Sequence, residues 1–361
     1  SDPAGNVTIS ALGENYTSVS GVTNLLLNGQ RGVLAQFDAN GALRWVSQPS
    51  SWCQNLAYGN GRIYAAMGGA ETNYAGGLTN TSDRHWALVA LNADNGQAIW
   101  LRNFGPAIGN GVFADTPRIA VAGSNVFLAG SGGGGSASFG GFSVTWPSTG
   151  QYLAGYDTNG NARFATNFGS TTTMPWVAAA DAAGNVYVGG DFDGYSMFGS
   201  RVIAGPHVNA LAPGFFSQSF LAKFDRNGVH QWTRTAQSPY LASLRDISLA
   251  SDGVWGVGFT DDRASLGAFT VSGPAICIGF PFCFIQNLTG GWIGKITESS
   301  GGSSPLPVTL VNLEYPANNF RFSFASQSGF NHLVLYRTNL TVGTWLTNST
   351  VPGDGSVKTV N

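Results

Sequence analysis

The sequence predicts an all-β protein assembled from a repeated unit, and three observations predict it. An Asp-x-Asn-Gly turn between an apolar run and an aromatic recurs along the chain, a Gly-Asn turn opening a second apolar run recurs between its copies, and glycine fills 51 of 361 positions in a chain that is 12% aromatic. That glycine share is about double the usual ~7%, and beside so many rings it reads as frequent tight turns rather than disorder.

The first half of the unit is an apolar strand, the turn, and an aromatic four residues after the glycine. It runs from Val33 to Gly41 with Trp45, from Tyr152 to Gly160 with Phe164, and from Phe220 to Gly228 with Trp232; Leu88 to Gly96 with Trp100 carries one extra turn residue. A worn copy, Trp292 to Thr297, keeps the strand and loses the aromatic. Asn-Gly between alternating segments is the strongest short-range hairpin signal, and a two-residue turn there needs positive φ at both central residues. Trp45, Trp100, Phe164 and Trp232 are therefore the structural aromatics of the repeat.

The second half is Ala182 to Gly190, with relatives at Gly59 to Ala66, Ala122 to Gly130, Ser251 to Gly258 and Pro3 to Ser10. Its small residues suit crowding near an axis, so this half is expected to be the inner strand. A third segment lies between the halves, opened by Phe139-Gly140, Phe198-Gly199 or Leu266-Gly267. The unit returns about every 55 to 70 residues with four short strands, the arithmetic of a β-propeller of about five four-stranded blades over 1–298.

A Ser/Gly/Pro stretch over 299–307 has linker composition. Alternating runs at Val308 to Leu313, Phe320 to Phe324 and Leu333 to Tyr336 then predict a small β-sandwich-like domain over 308–361.

The order Asp-x-x-Gly-Asn-x-Tyr-x-x-Gly, Phe-Gly, then Phe-Leu-Ala-Lys-Phe-Asp-x-Asn-Gly-x-x-x-Trp, best seen over 180–234, resembles the SBBP β-propeller repeats of exported bacterial proteins. The tail is similar to small C-terminal β-sandwich modules of secreted bacterial proteins. These resemblances imply an extracellular or cell-surface location with the leader already removed. The family name implies seven blades, against the five counted.

Charged residues are 10% of the chain and the net charge is −2 with no basic run, which excludes a nucleic-acid binder and a polybasic membrane patch. No apolar run is long enough to span a bilayer. Cys277 and Cys283 bracket a short loop containing Gly279 and Pro281 that suits a local disulfide, two buried thiols being the alternative; Cys53 reads as a small apolar residue.

Constellations that carry chemistry are weak. Leu91 to Trp100 looks like the tryptophan-docking motif of quinoprotein dehydrogenases, but those enzymes need a calcium cage and usually adjacent cysteines, and this chain has no Cys-Cys pair. Asp191, Asp193, Asp261 and Asp262 read as solvated loop acids, since no full calcium-loop spacing follows them. His85, His207, His230 and His332 show no ligand spacing, and His230 reads as an outward-facing strand residue. Trp52, Trp86, Trp146 and Trp176 lie outside the repeated aromatic position and read as packing residues, with stacking on sugar rings as the other use.

The expectation is thus a protein with no catalytic residue, no cofactor and no metal. The last repeat and the tail both look unfinished, and an unpaired edge templates association. Self-association by strand donation into a filament, as a non-enzymatic structural or adhesive surface protein, is the function expected, with surface polysaccharide as the other partner. The alternative is a carbohydrate-binding adhesin, and behind it a glycan-active or quinone-dependent enzyme.

Overall fold

The computed structural model describes residues 1–19, 22–68, 72–81, 84–107, 117–204, 218–238, 241–251, 253–261, 263–266, 269–272, 275–278, 284–287, 290–296, 310–314, 321–326, 331–336, 346–354 and 356–360. Every regular element among them is a β-strand. The chain divides into two units, Ser1–Thr297 and Glu298–Asn361.

Five successive antiparallel sheets build the first unit. Blade I is β1 (Val7–Val19), β2 (Val22–Phe37) and β3 (Leu43–Ser47). Blade II begins with β4 (Cys53–Gly59) and β5 (Arg62–Gly68); a hairpin, β6 (Thr72–Ala75) and β7 (Leu78–Thr81), precedes β8 (Arg84–Asn92) and β9 (Ala98–Ala107). Blade III repeats the plan with β10 (Arg118–Ala122), β11 (Asn125–Gly132), the hairpin β12 (Gly135–Phe139) and β13 (Phe142–Trp146), then β14 (Gly150–Asp157) and β15 (Ala162–Phe168). In blade IV these are β16 (Met174–Ala180), β17 (Val186–Phe192), β18 (Tyr195–Phe198), β19 (Arg201–Ala204), β20 (Gln218–Phe224) and β21 (His230–Gln237). Blade V has β22 (Leu241–Ala250) and β23 (Gly253–Asp261), two hairpins, β24 (Arg263–Leu266) with β25 (Phe269–Ser272) and β26 (Ala275–Ile278) with β27 (Phe284–Asn287), and then β28 (Gly290–Ile296).

The fold is the expected all-β propeller, with differences that have physical reasons. The turn is three residues plus a bulge: Gly41, Gly160 and Gly228 have φ near +80° while the preceding asparagines do not, and the ladder slips one residue beside each turn. The Asp side chain holds it: Asp157 Oδ1 accepts from the amides of Asn159 and Asn161, both at 2.9 Å.

The inner strand is also a different one. The first strands β4, β10, β16 and β22 lie against one another in succession, and in blades II to V the Gly-Asn strand is second in its sheet. Its small residues make room for the next blade: a Cβ on Gly189 would meet Leu244 Cδ2 of β22 at 2.5 Å. The inserted hairpin, finally, reaches back to the previous blade instead of completing its own. Ser138 of β12 pairs with Gly105 of β9, and Leu266 of β24 with Ala236 of β21. Blades II, III and IV therefore have six strands each, four in the blade and two in the inserted hairpin, which in blade III joins the sheet of its predecessor.

Blades II, III and IV thereby bury both faces. Separate apolar layers form between blades I and II, II and III, III and IV, and IV and V. The hairpin phenylalanines enter these layers, Phe139 on Phe104 at 5.9 Å between ring centroids and Phe198 on Phe168 at 5.7 Å. His230 also faces inward, its ring 5.6 Å from that of Phe224.

The second unit contains β29 (Leu310–Glu314), β30 (Arg321–Ala325) and β33 (Val357–Val360) in one sheet and β31 (Asn331–Tyr336) with β32 (Leu346–Pro352) in another. The Phe324 and His332 rings, 5.0 Å apart, join the two sheets.

Candidate functional site

The repeated aromatics work between blades. Trp45 donates its Nε1–H to the Ala93 carbonyl at 2.9 Å, and Trp100 to the Thr158 carbonyl at 2.8 Å. Each ring covers the turn glycine of the following blade: Trp45 over Gly96, Trp100 over Gly160, Phe164 over Gly228. Trp232 packs edge-on against Tyr187. These four are structural, and the chemistry lies elsewhere.

It gathers on the first strands. The ladder between β16 and β17 slips at Trp176, and that between β22 and β23 slips at Arg245. A bulge turns one extra side chain out of the alternation, so both residues leave the face their neighbours share. The Arg245 guanidinium carbon lies 4.7 Å from the centroid of Trp176 and 4.9 Å from that of Phe259, in cation–π contact with both rings. Arg118, opening β10 on the blade before, places its own guanidinium 5.8 Å from Trp176.

Asp191, near the end of β17, holds this group together. Its Oδ2 accepts from Trp176 Nε1 at 2.7 Å and from Ser243 Oγ at 2.8 Å, its Oδ1 accepts from the Leu244 amide at 3.3 Å, and Arg245 approaches to 3.7 Å. The carboxyl bridges blades IV and V and sets the two aromatic–cation contacts. Burial pushes it up to about 6, against the downward pull of the Ser243 and Trp176 hydrogen bonds and the Arg245 charge. Asp191 is 6% exposed. The expectation of a solvated loop acid is corrected: the alternation of β17 and the adjoining β22 enclose it.

Sequence reading missed Arg118, Arg245 and Phe259 and took Trp176 as packing. A buried Asp beside a lone tryptophan was the available signal, but a bulge leaves no mark in the sequence. The Cys283 position and the Cys277 side chain lie outside the described residues. Cys53 is a free, fully buried thiol. Among the described residues no group of three or more His, Cys, Asp and Glu is placed to hold a metal ion, and no helix is long and apolar enough to cross a membrane.

Two concavities of about 410 Å³ lie away from this cluster, one lined by Tyr74, Asn95 and Gln97, the other by Trp146, Tyr195 and Met197. Neither lining includes a charged side chain, so chemistry rather than concavity selects the site.

No family model and no curated protein matches the sequence. Among solved structures, the chain is similar to the quinohemoprotein alcohol dehydrogenase of Comamonas testosteroni, at 13% identity and a TM-score of 0.34 over 74% of this chain and 43% of that one. It is similar to a europium-containing methanol dehydrogenase, at 15% and 0.37 over 72% and 50%. It is also similar to BamB from Moraxella catarrhalis, at 14% and 0.25 over 62% and 75%. The chain spans half or less of the two dehydrogenases, and a likeness this distant carries no argument about activity.

The expectation of a non-enzymatic structural or adhesive surface protein that assembles by strand donation is nevertheless corrected. The structures it resembles are dehydrogenases and BamB.

Proposed function

We propose that the protein is a small-molecule-binding propeller whose site is the Arg118–Trp176–Arg245 group on the first strands of blades III to V. One observation carries this: Arg245 is 42% exposed at its side chain, yet its guanidinium lies within 5 Å of the centroids of two rings, Trp176 and Phe259, beside a carboxylate that anchors the Trp176 indole. A purely structural residue has no need of such a mount, whereas binding sites gain affinity from groups ordered in advance. The reading is binding, with Asp191 as the anchor of the site: its oxygens are taken up by three donors of the protein itself, Trp176, Ser243 and Leu244. The resemblance of the repeats to SBBP proteins supports a location outside the cytoplasm.

The test is a thermal-shift and titration screen of the full chain against small anionic, neutral and cationic organic molecules, repeated with Trp176→Ala. The expected result is that one charge class binds and that the variant weakens it by about tenfold, the worth of a lost cation–π mount. The reading fails if no class binds, or if binders hold equally well to the variant.

A further inference from the structure

We propose that the group received at this site is the carboxylate of a small monoanionic molecule, taken edge-on by the Arg245 guanidinium. The inference rests on the binding reading above and names its ligand class.

The argument begins with how a guanidinium can be used. Its two faces are apolar enough to stack on rings, and its edge carries five N–H donors in a plane. In Arg245 the rings are already provided and the edge is not used. Trp176 and Phe259 lie 4.7 and 4.9 Å from its central carbon. At the edge, Asp191 stands 3.7 Å away, beyond hydrogen-bond reach, because its oxygens are engaged by Trp176, Ser243 and Leu244. Among the described residues Arg245 makes no hydrogen bond, so its donors are ordered, partly exposed and unspent.

The complement of a planar donor fork is a planar pair of acceptor oxygens, which a carboxylate supplies. Charge selects within the oxyanions. The Asp191 carboxylate, 3.7 Å from the same fork, repels a dianionic phosphate more strongly than a monoanion. The rest of the molecule lies outside the fork, so sugar acids and aromatic acids share the recognised chemistry.

The experiment is calorimetric titration of the full chain with benzoate, glucuronate, benzamide and inorganic phosphate, with Arg245→Gln and Arg245→Lys as variants. Binding of benzoate or glucuronate without benzamide supports the proposal, and which acid binds identifies the source. Arg245→Gln should weaken the acid by about tenfold or more and Arg245→Lys should recover only part of it, since an ammonium keeps the charge and loses the fork. The benzoate and benzamide comparison on the unaltered chain decides the question even if a variant folds poorly. Preference for phosphate or benzamide, lost in Trp176→Ala, overturns the carboxylate and leaves the site standing. Absence of binding by all four, together with a screen in which no class binds, overturns both.

Discussion

The indole of Trp100 lies over the backbone of Gly160 in the next blade, where an added Cβ would stand 2.8 Å from the ring. The same indole caps that turn by donating to the Thr158 carbonyl at 2.8 Å. Arg102 Nε reinforces the clasp from the same strand with a 3.1 Å hydrogen bond to the Gly160 carbonyl.

Gly160→Ala should therefore lower stability by about 3 kcal/mol, combining ~1 kcal/mol for a side chain at positive φ with ~2 for the overlap with the ring. Gly41 has the same turn and φ of 82° but open space around its Cβ. Gly41→Ala should cost only about 1 kcal/mol, the backbone part alone. Equal shifts in denaturation midpoint for the two variants would show that docking adds nothing.

Trp100→Phe keeps the ring over the turn and removes the Thr158 hydrogen bond, so a loss of about 1 kcal/mol is expected in denaturant unfolding. Trp100→Ala should cost about 3 to 5 kcal/mol, since a nearly buried ring is replaced by a cavity. A phenylalanine variant as damaged as the alanine one would place the energy in the hydrogen bond instead of the ring.

Asp191 should make stability fall as pH rises through the mildly acidic range. Its folded value of about 6 lies above the unfolded 3.8, so between them the native state holds more protons and loses free energy as they leave. The loss is on the order of 3 kcal/mol. Asp157 works in the opposite sense: burial raises it, but hydrogen bonds from Asn161 and Asn159 outweigh that and lower it, so its contribution is lost on acidification. Subtracting the Asp191→Asn profile from the wild-type one isolates the first effect. The difference should decline from pH 4 to pH 6, and a flat difference would contradict the enclosed carboxyl.

The Cys53 thiol should resist alkylation at pH 8 in the native protein and react once guanidinium unfolds it. It is fully buried, and burial pushes it up to about 12, so thiolate is scarce as well as hidden. Peptide mass mapping after maleimide treatment reads this directly, and native labelling would show that the layer between blades I and II opens.

Much of the blade was legible because its causes are local. The Asp-x-Asn-Gly turns, the alternation of their flanking strands and the spacing to Trp45, Trp100, Phe164 and Trp232 follow from turn chemistry and side-chain period. The three-residue turn escaped because only the glycine, and not the asparagine, takes positive φ. The segment opened by Phe139 was read as one strand of its own blade, since short sheet segments carry no address for their partner.

What the amino-acid order determined by itself, then, was the strands, the turns and the all-β repeat, each the product of interactions within a few residues. What only tertiary structure decided was which blade each aromatic clasps and how Asp191, Trp176 and Arg245 meet. Trp100 finds its acceptor 58 residues on, and Asp191 finds Ser243 52 residues on. Such meetings depend on face-to-face packing of neighbouring sheets and on bulges that redirect single side chains, and neither is encoded in a local pattern.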